Sequence, residues 1–275
     1  MNLFEAVVLG VVEGVTEFLP VSSTGHLTIA EKVLGLPIDD ESITAFTAVI
    51  QIGAIAAVLV FFRRDLWRIT TAWLSGLVHP EQRGSFDHRF GWYVILGSVP
   101  IVVAALLGKS LVTGPLRSLW WVAGALIAWS VVMVAAERVA TQRRGERDIR
   151  LVDVLVIGVL QCVALVPGVS RSGATISAGL FLGLDRVTST RLSFFLSIPA
   201  LVGAGIYQLP QALDGGVGWL PTLVATVVSF VVAYASIAWL LRFVAGHSIA
   251  VFVWYRLALG VALIVLLSTG AIAST

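Results

Sequence analysis

The chain reads as an all-α integral membrane protein. The expected architecture is an inverted-topology repeat with six transmembrane helices and two re-entrant helix-loop-helix hairpins. Three observations predict this. Hydrophobic residues make up 58% of the sequence and charged residues only 12%, and mean hydropathy is +0.96, too little polar surface for a soluble domain of this length. Six apolar runs are long enough to cross a hydrocarbon core of about 30 Å, and they lack the alternation of barrel strands. Finally, residues 10–26 (GVVEGVTEFLPVSSTGH) recur in degenerate form 148 positions later as residues 158–174 (GVLQCVALVPGVSRSGA).

Taken in order, residues 3–18 and 22–35 are two apolar pieces separated by Pro20. Each covers roughly 20 to 24 Å as a helix, too short to span, and a broken backbone at membrane depth requires cover by protein or a watery cavity. The second piece starts at Ser22, a good N-cap residue. A span follows at 46–62, then a charged linker at 63–90 and spans at 92–108 and 119–136. Residues 138–150 form a basic linker. Residues 151–165 and 170–183 repeat the broken pattern around Pro167, with Ser170 at the second start, and spans at 194–210, 219–241 and 249–269 complete the chain. The expected organisation is therefore one membrane domain over 1–275, with repeat one over 1–137, a cytoplasmic linker over 138–150 and repeat two over 151–275. The first ten residues contain Glu5 and no basic residue, unlike a secretory signal peptide.

Placing 63–90 in the cytoplasm puts thirteen basic residues there: Arg63, Arg64, Arg68, Arg83, Arg89, Arg138, Arg143, Arg144, Arg147, Arg150, Arg186, Arg191 and Arg242. Only Lys32, Lys109 and Arg117 fall outside, together with the acidic Asp39, Asp40 and Glu41. That asymmetry follows the positive-inside rule and places both termini outside. Three crossings per repeat make the second repeat inverted, and broken helices meeting near the midplane commonly build substrate sites. The two basic residues left over, Arg171 and Arg256, are intramembrane. The single Cys162 can form no internal disulfide and lacks metal-ligand neighbours, so it reads as a packing residue. No nucleic-acid module is present in the sequence.

Ionisable groups at membrane depth are costly and mark function. Glu13 and Glu17 are four apart on one helix face, where two ionised carboxylates repel unless one is protonated or a cation bridges them. The bland alternative is a hydrogen-bonded pair at a helix interface. His26 follows Ser22 and Ser23 at helical spacing, so imidazole and hydroxyl can share a face. Alone, such a histidine reads as structural. Beside Glu17 and the Ser22-Ser23-Thr24 run it suits acid-base or nucleophilic work. Pro167 to Thr175 places Ser170, Arg171, Ser172 and Thr175 at a helix start, where free amides and a guanidinium fork favour phosphate. Arg256 is a weaker phosphate candidate, since it could snorkel to the cytoplasmic face. An anion site beside two carboxylates needs a bridging divalent cation to be self-consistent.

At these residues the sequence resembles the undecaprenyl-pyrophosphate phosphatase family, also called bacitracin-resistance proteins. The glutamate-rich motif reads EGVTEFLPVSSTGH from Glu13 to His26, and the PGxSRSxxT motif runs from Pro167 to Thr175. The resemblance implies a bacterial plasma (inner) membrane enzyme that removes the terminal phosphate of a C55 polyprenyl diphosphate. Such an enzyme regenerates the lipid carrier of cell-wall synthesis and confers bacitracin resistance. It further implies Mg²⁺ or Ca²⁺ as cofactor, Glu13 and Glu17 as metal ligands, and a site opening externally. His26, Glu17, Ser23 and Arg171 would be catalytic. Ser170, Arg171 and Thr175 carry over as phosphate contacts, and the reading of the residues themselves adds Ser22, Ser172 and Arg256. A homodimer is left open, as is the nucleophile among His26, Ser23 and a metal-activated water. A transporter or flippase of a lipid phosphate is the competing class, because inverted repeats are also transporter architecture. The KxxxxxxRP element of the acid phosphatase superfamily is absent, although SSTGH echoes its PSGH.

Overall fold

The computed structural model describes residues 1–37, 40–108, 116, 118–213 and 217–274. Asp39, Lys109 and Arg117 lie outside the described residues. Among those described, the regular structure is helical: α1 (Leu3–Thr16), α2 (Ser23–Val33), α3 (Glu41–Phe61), α4 (Arg63–Val78), α5 (Phe86–Leu107), α6 (Leu119–Val139), α7 (Leu151–Gln161), α8 (Arg171–Phe181), α9 (Arg186–Leu213), α10 (Trp219–Gly246) and α11 (Val251–Ser268). Six stretches are long and apolar enough to cross a bilayer: Ser42–Phe61, Phe86–Leu107, Leu119–Val139, Arg186–Ile206, Trp219–Gly246 and Val251–Ser268. Each contains most or all of one apolar run of the sequence.

Between these spans, the broken segments fold as helix pairs. α1 starts on a capping box in which Asn2 accepts from the Glu5 amide and Glu5 reaches back to the Asn2 amide. α7 runs into a 3₁₀ turn over Cys162–Leu165 before the chain breaks at Pro167. The second helices, α2 and α8, are both 11 residues long and keep the 148-residue offset at each end. Both close on a left-handed glycine, Gly35 at φ 73° and Gly183 at φ 81°. Their preceding residues share the left-handed region too, Ser22 at φ 81° and Ser170 at φ 76°. Such a backbone is unfavourable for serine, so the surrounding contacts must hold it.

The helices that lead into these turns are set by crossed packing. α1 packs on α10, and α7 packs on α5. The approach is close in both cases: a Cβ on Gly10 would lie 2.6 Å from the Ala225 carbonyl oxygen, and one on Gly158 2.2 Å from that of Gly97. α3 lies against α9 and α10, while α11 lies against α6. Under the turns sits an aromatic cluster in which Phe18 meets Phe194 edge-on at 5.2 Å and Phe62 meets Phe195 at 5.0 Å.

One feature differs from the sequence reading, and a second adds to it. The 63–90 linker contains α4, whose sequence mixes Arg63, Arg64, Asp65 and Arg68 with Trp67, Leu74 and Leu77. Its apolar and charged faces cancel in any hydropathy average, which hides the helix; His88 of α5 fixes it by meeting the Ala72 and Trp73 carbonyls at 3.3 and 3.2 Å. The 138–150 linker is also ordered. Arg144 ion-pairs with Asp153 and donates to the Leu182 carbonyl at 2.9 Å, tying the linker to α7 and the end of α8.

Candidate active site

The site begins where the two broken segments touch. Pro20 and Pro167 interrupt the helices and free backbone groups that must find partners. Ser22 illustrates the solution. Its hydroxyl does not cap α2, as its position suggested; it accepts from the Gly168 amide at 3.1 Å, in the other segment. Gly168 has φ 99°, and a Cβ there would lie 2.5 Å from the Val122 carbonyl oxygen. Only glycine fits that turn.

Arg256 joins the same two turns from α11. It is fully buried. Its guanidinium donates to the Pro20 carbonyl at 3.1 Å, to Gly168 at 2.9 Å and Val169 at 3.1 Å, and its Nε to the Ser130 hydroxyl at 3.2 Å. With its donors directed at these protein acceptors, Arg256 sits behind the turns in this arrangement rather than in front of them.

Arg171 is placed differently. From the first turn of α8 it crosses to α1, where Nη2 meets Glu17 Oε1 at 3.0 Å, with the Phe18 ring centroid 6.0 Å away. Its Nη1 donates to the Ser193 carbonyl at 3.3 Å. The other Glu17 oxygen accepts from the Ser23 hydroxyl at 2.7 Å. One chain of contacts therefore runs Arg171, Glu17, Ser23. Each carboxylate oxygen of Glu17 is occupied.

Glu13 is not satisfied in the same way. It is buried, and its Oε1 has no hydrogen-bond partner among the described residues. It lies within electrostatic reach of Glu17 and Arg171. A buried carboxylate oxygen without a donor is expensive, so it calls for a proton or a cation. No cluster of three or more metal-ligating side chains occurs among the described residues. Glu13 and Glu17 would therefore hold a divalent ion only with further oxygens, and substrate phosphates can supply them. Carboxylate oxygens are the donors a hard cation takes, and Glu17 would join Glu13 in holding one only on giving up its Arg171 or Ser23 contact.

The remaining hydroxyls mostly build the frame. Ser172 is fully buried and donates to the Leu19 carbonyl at 2.9 Å, which leaves its oxygen to accept from Ser170 at 3.1 Å. Ser170 in turn caps α8 by accepting from the Gly173 amide at 3.2 Å. Thr175 Oγ1 lies 2.6 Å from the Ser193 hydroxyl and 2.9 Å from the Arg171 carbonyl oxygen. With these hydroxyls engaged, the groups at the helix starts suited to an anion are the uncapped first-turn backbone N–H groups and Arg171. His26 lies on α2 with Nδ1 2.7 Å from the Ser22 carbonyl oxygen and Nε2 2.6 Å from the Tyr255 hydroxyl. No contact joins it directly to Arg171.

Ser193 and Tyr255 were not among the residues the sequence marked. Ser193 sits in an ordinary span sequence and carries no signal. Tyr255 had one, its place beside an intramembrane arginine.

The profile of the bacitracin resistance protein BacA family matches residues 6–262. A protein of Frankia casuarinae named undecaprenyl-diphosphatase 3 is 58% identical over 278 residues, covering 100% of both chains. Undecaprenyl-diphosphatases of Acidothermus cellulolyticus and a Mycobacterium species are 57% and 50% identical, covering 99% and 100% of both partners respectively. A profile match over nearly the whole length, joined to full-length relatives at this identity, places the chain in the bacitracin resistance protein family.

Proposed function

We propose that this protein is a membrane polyprenyl-diphosphate phosphatase that hydrolyses undecaprenyl diphosphate to undecaprenyl phosphate and inorganic phosphate. The observation that carries the reading is the contact chain Arg171, Glu17, Ser23, which draws a cation and a hydroxyl-carboxylate pair from two segments 148 residues apart. A diphosphate needs both kinds of group at once. The alternative of lipid-phosphate transport lacks such a requirement for a positioned hydroxyl.

In this reading the diphosphate displaces the Glu17 contact and takes the Arg171 fork, whose planar donors match phosphate oxygens. Of the three candidate nucleophiles, Ser23 has the most favourable setting, because its proton already points at a carboxylate. Attack of Ser23 Oγ on the terminal phosphorus would pass that proton to Glu17 and break the anhydride bond. Undecaprenyl phosphate leaves with its charge near Arg171, and water then cleaves the serine phosphate. A water replacing Ser23 at the same carboxylate would give the same products directly. Mg²⁺ or Ca²⁺ held by Glu13 with Glu17 would supply charge neutralisation for the phosphates. The helix starts and Arg171 orient the substrate, while Arg256 keeps the two turns together.

The membrane arrangement belongs to the same proposal. The crossed packing and the shared offset of the helix pairs support two inverted repeats with re-entrant hairpins. The basic-residue asymmetry supports the orientation with both termini outside, while plasma-membrane residence and a site reached from outside follow from the family resemblance. Phosphate release by purified protein in detergent, without any gradient, tests hydrolysis against transport. Release there with loss in Ser23→Ala supports the reading; binding without release favours a carrier.

A further inference from the structure

We propose that Tyr255 is a positioning residue of this active site, acting through His26; the proposal rests on the phosphatase reading above. The Tyr255 hydroxyl lies 2.6 Å from His26 Nε2. The two rings stack with centroids 5.5 Å apart and planes 17° from parallel, so the tyrosine fixes both the plane of the imidazole and one of its nitrogens.

The other nitrogen settles which way the protons point. Nδ1 lies 2.7 Å from the Ser22 carbonyl oxygen, which can only accept, so Nδ1 carries a proton. In the neutral ring Nε2 is then a bare acceptor and Tyr255 donates to it. When the ring takes a second proton, Nε2 becomes a donor and the hydroxyl accepts. In the resting site Tyr255 can thus partner either state of the histidine by exchanging donor and acceptor roles.

Because Nδ1 is committed to its own helix, Nε2 is the nitrogen left to face a phosphoryl oxygen. Tyr255 stands on it in the resting enzyme. Its neighbour Arg256 is pinned to the Pro20, Gly168 and Val169 carbonyls, so this part of α11 is registered to the turns that form the site. Tyr255 itself is 49% exposed, which leaves room for the hydroxyl to yield to substrate. It therefore sets the aim of the ring and returns to it after each turnover.

Tyr255→Phe keeps the stack and removes only the hydroxyl. With undecaprenyl diphosphate as substrate, kcat should fall about tenfold and KM should stay within about twofold, the loss of one hydrogen bond felt in turnover rather than binding. In a His26→Ala background the same substitution should change kcat less than about twofold, because residues acting as a unit are not additive. An equal fall in both backgrounds would place Tyr255 outside the histidine's function and overturn the proposal. So would full activity of Tyr255→Phe beside an impaired His26→Ala, which leaves the phosphatase reading intact. Full activity of both, with Arg171→Ala impaired, removes His26 from the chemistry and Tyr255 with it. Failure of the reading itself looks different, namely full activity of Arg171→Ala. Independently of any variant's folding, ¹⁵N spectra of the wild-type protein should show the His26 ring protonated at Nδ1; a resting ring protonated only at Nε2 contradicts the proposal.

Discussion

Arg171 and Arg256 show how the same side chain serves two ends within one site. Arg256 is wholly enclosed and bonded to carbonyls of both turns, whereas Arg171 faces a carboxylate that an anion can displace. Arg256→Ala should therefore act on stability, costing about 3 to 5 kcal/mol by leaving buried acceptors unpaired, read as a fall in the thermal midpoint in detergent. Arg171→Ala should abolish turnover, with a smaller fall in that midpoint from the lost pair with the buried Glu17 carboxylate. The carboxylates divide similarly. Glu13 has the unpartnered oxygen, so Glu13→Gln should raise the Mg²⁺ or Ca²⁺ concentration for half-maximal activity, and excess metal should restore part of the loss. Glu17 is engaged by Ser23 and Arg171 as well as facing the cation, so Glu17→Gln should raise the metal requirement and also leave kcat low at saturating metal. Unchanged wild-type activity after exhaustive EDTA and EGTA treatment would refute the cation at Glu13. The sequence marked the charged members of this group because charge at membrane depth needs a reason. It could not divide them into groups that face substrate and groups that hold the frame, since that depends on which acceptors the partner segment presents.

The elements that matter most are the two turns between short helices. Their pairing rests on Gly168, whose amide reaches Ser22 and whose α-carbon lies against the Val122 backbone. Gly168→Ala would introduce both a strained left-handed alanine and a clash with backbone. It should reduce folded yield in detergent as well as activity, whereas Gly124→Ala, with nothing near its Cβ position, should do neither. Helix breaks at Pro20 and Pro167 were legible from composition and proline alone. The use of Ser22 was not, because an N-cap serine and a serine bonded across 146 residues are the same letter in the same place. α4 was illegible for another reason: its two faces cancel in a hydropathy window, and its partner is the next helix.

At the scale of the whole molecule, the recurrence of one segment explains why chemistry from both halves meets. The ordered ion pairs Arg144 with Asp153, Arg186 with Glu137, and Arg191 with Asp65 and Glu146 gather at helix ends assigned to the basic, cytoplasmic face. Orientation is testable with single cysteines in a Cys162→Ser background. Asp40→Cys should react with an impermeant maleimide in intact cells and Arg143→Cys only after permeabilisation; the reverse pattern would invert the topology. The central claim is that one phosphate site is assembled across the two segments. It is tested most directly by inorganic phosphate release from undecaprenyl diphosphate by purified Arg171→Lys in detergent, with saturating Mg²⁺. An ammonium cannot reproduce the guanidinium fork, so kcat/KM should fall about 10²- to 10³-fold relative to wild type at an unchanged thermal midpoint. Wild-type turnover in that variant would show that the second segment contributes no group to the reacting phosphate.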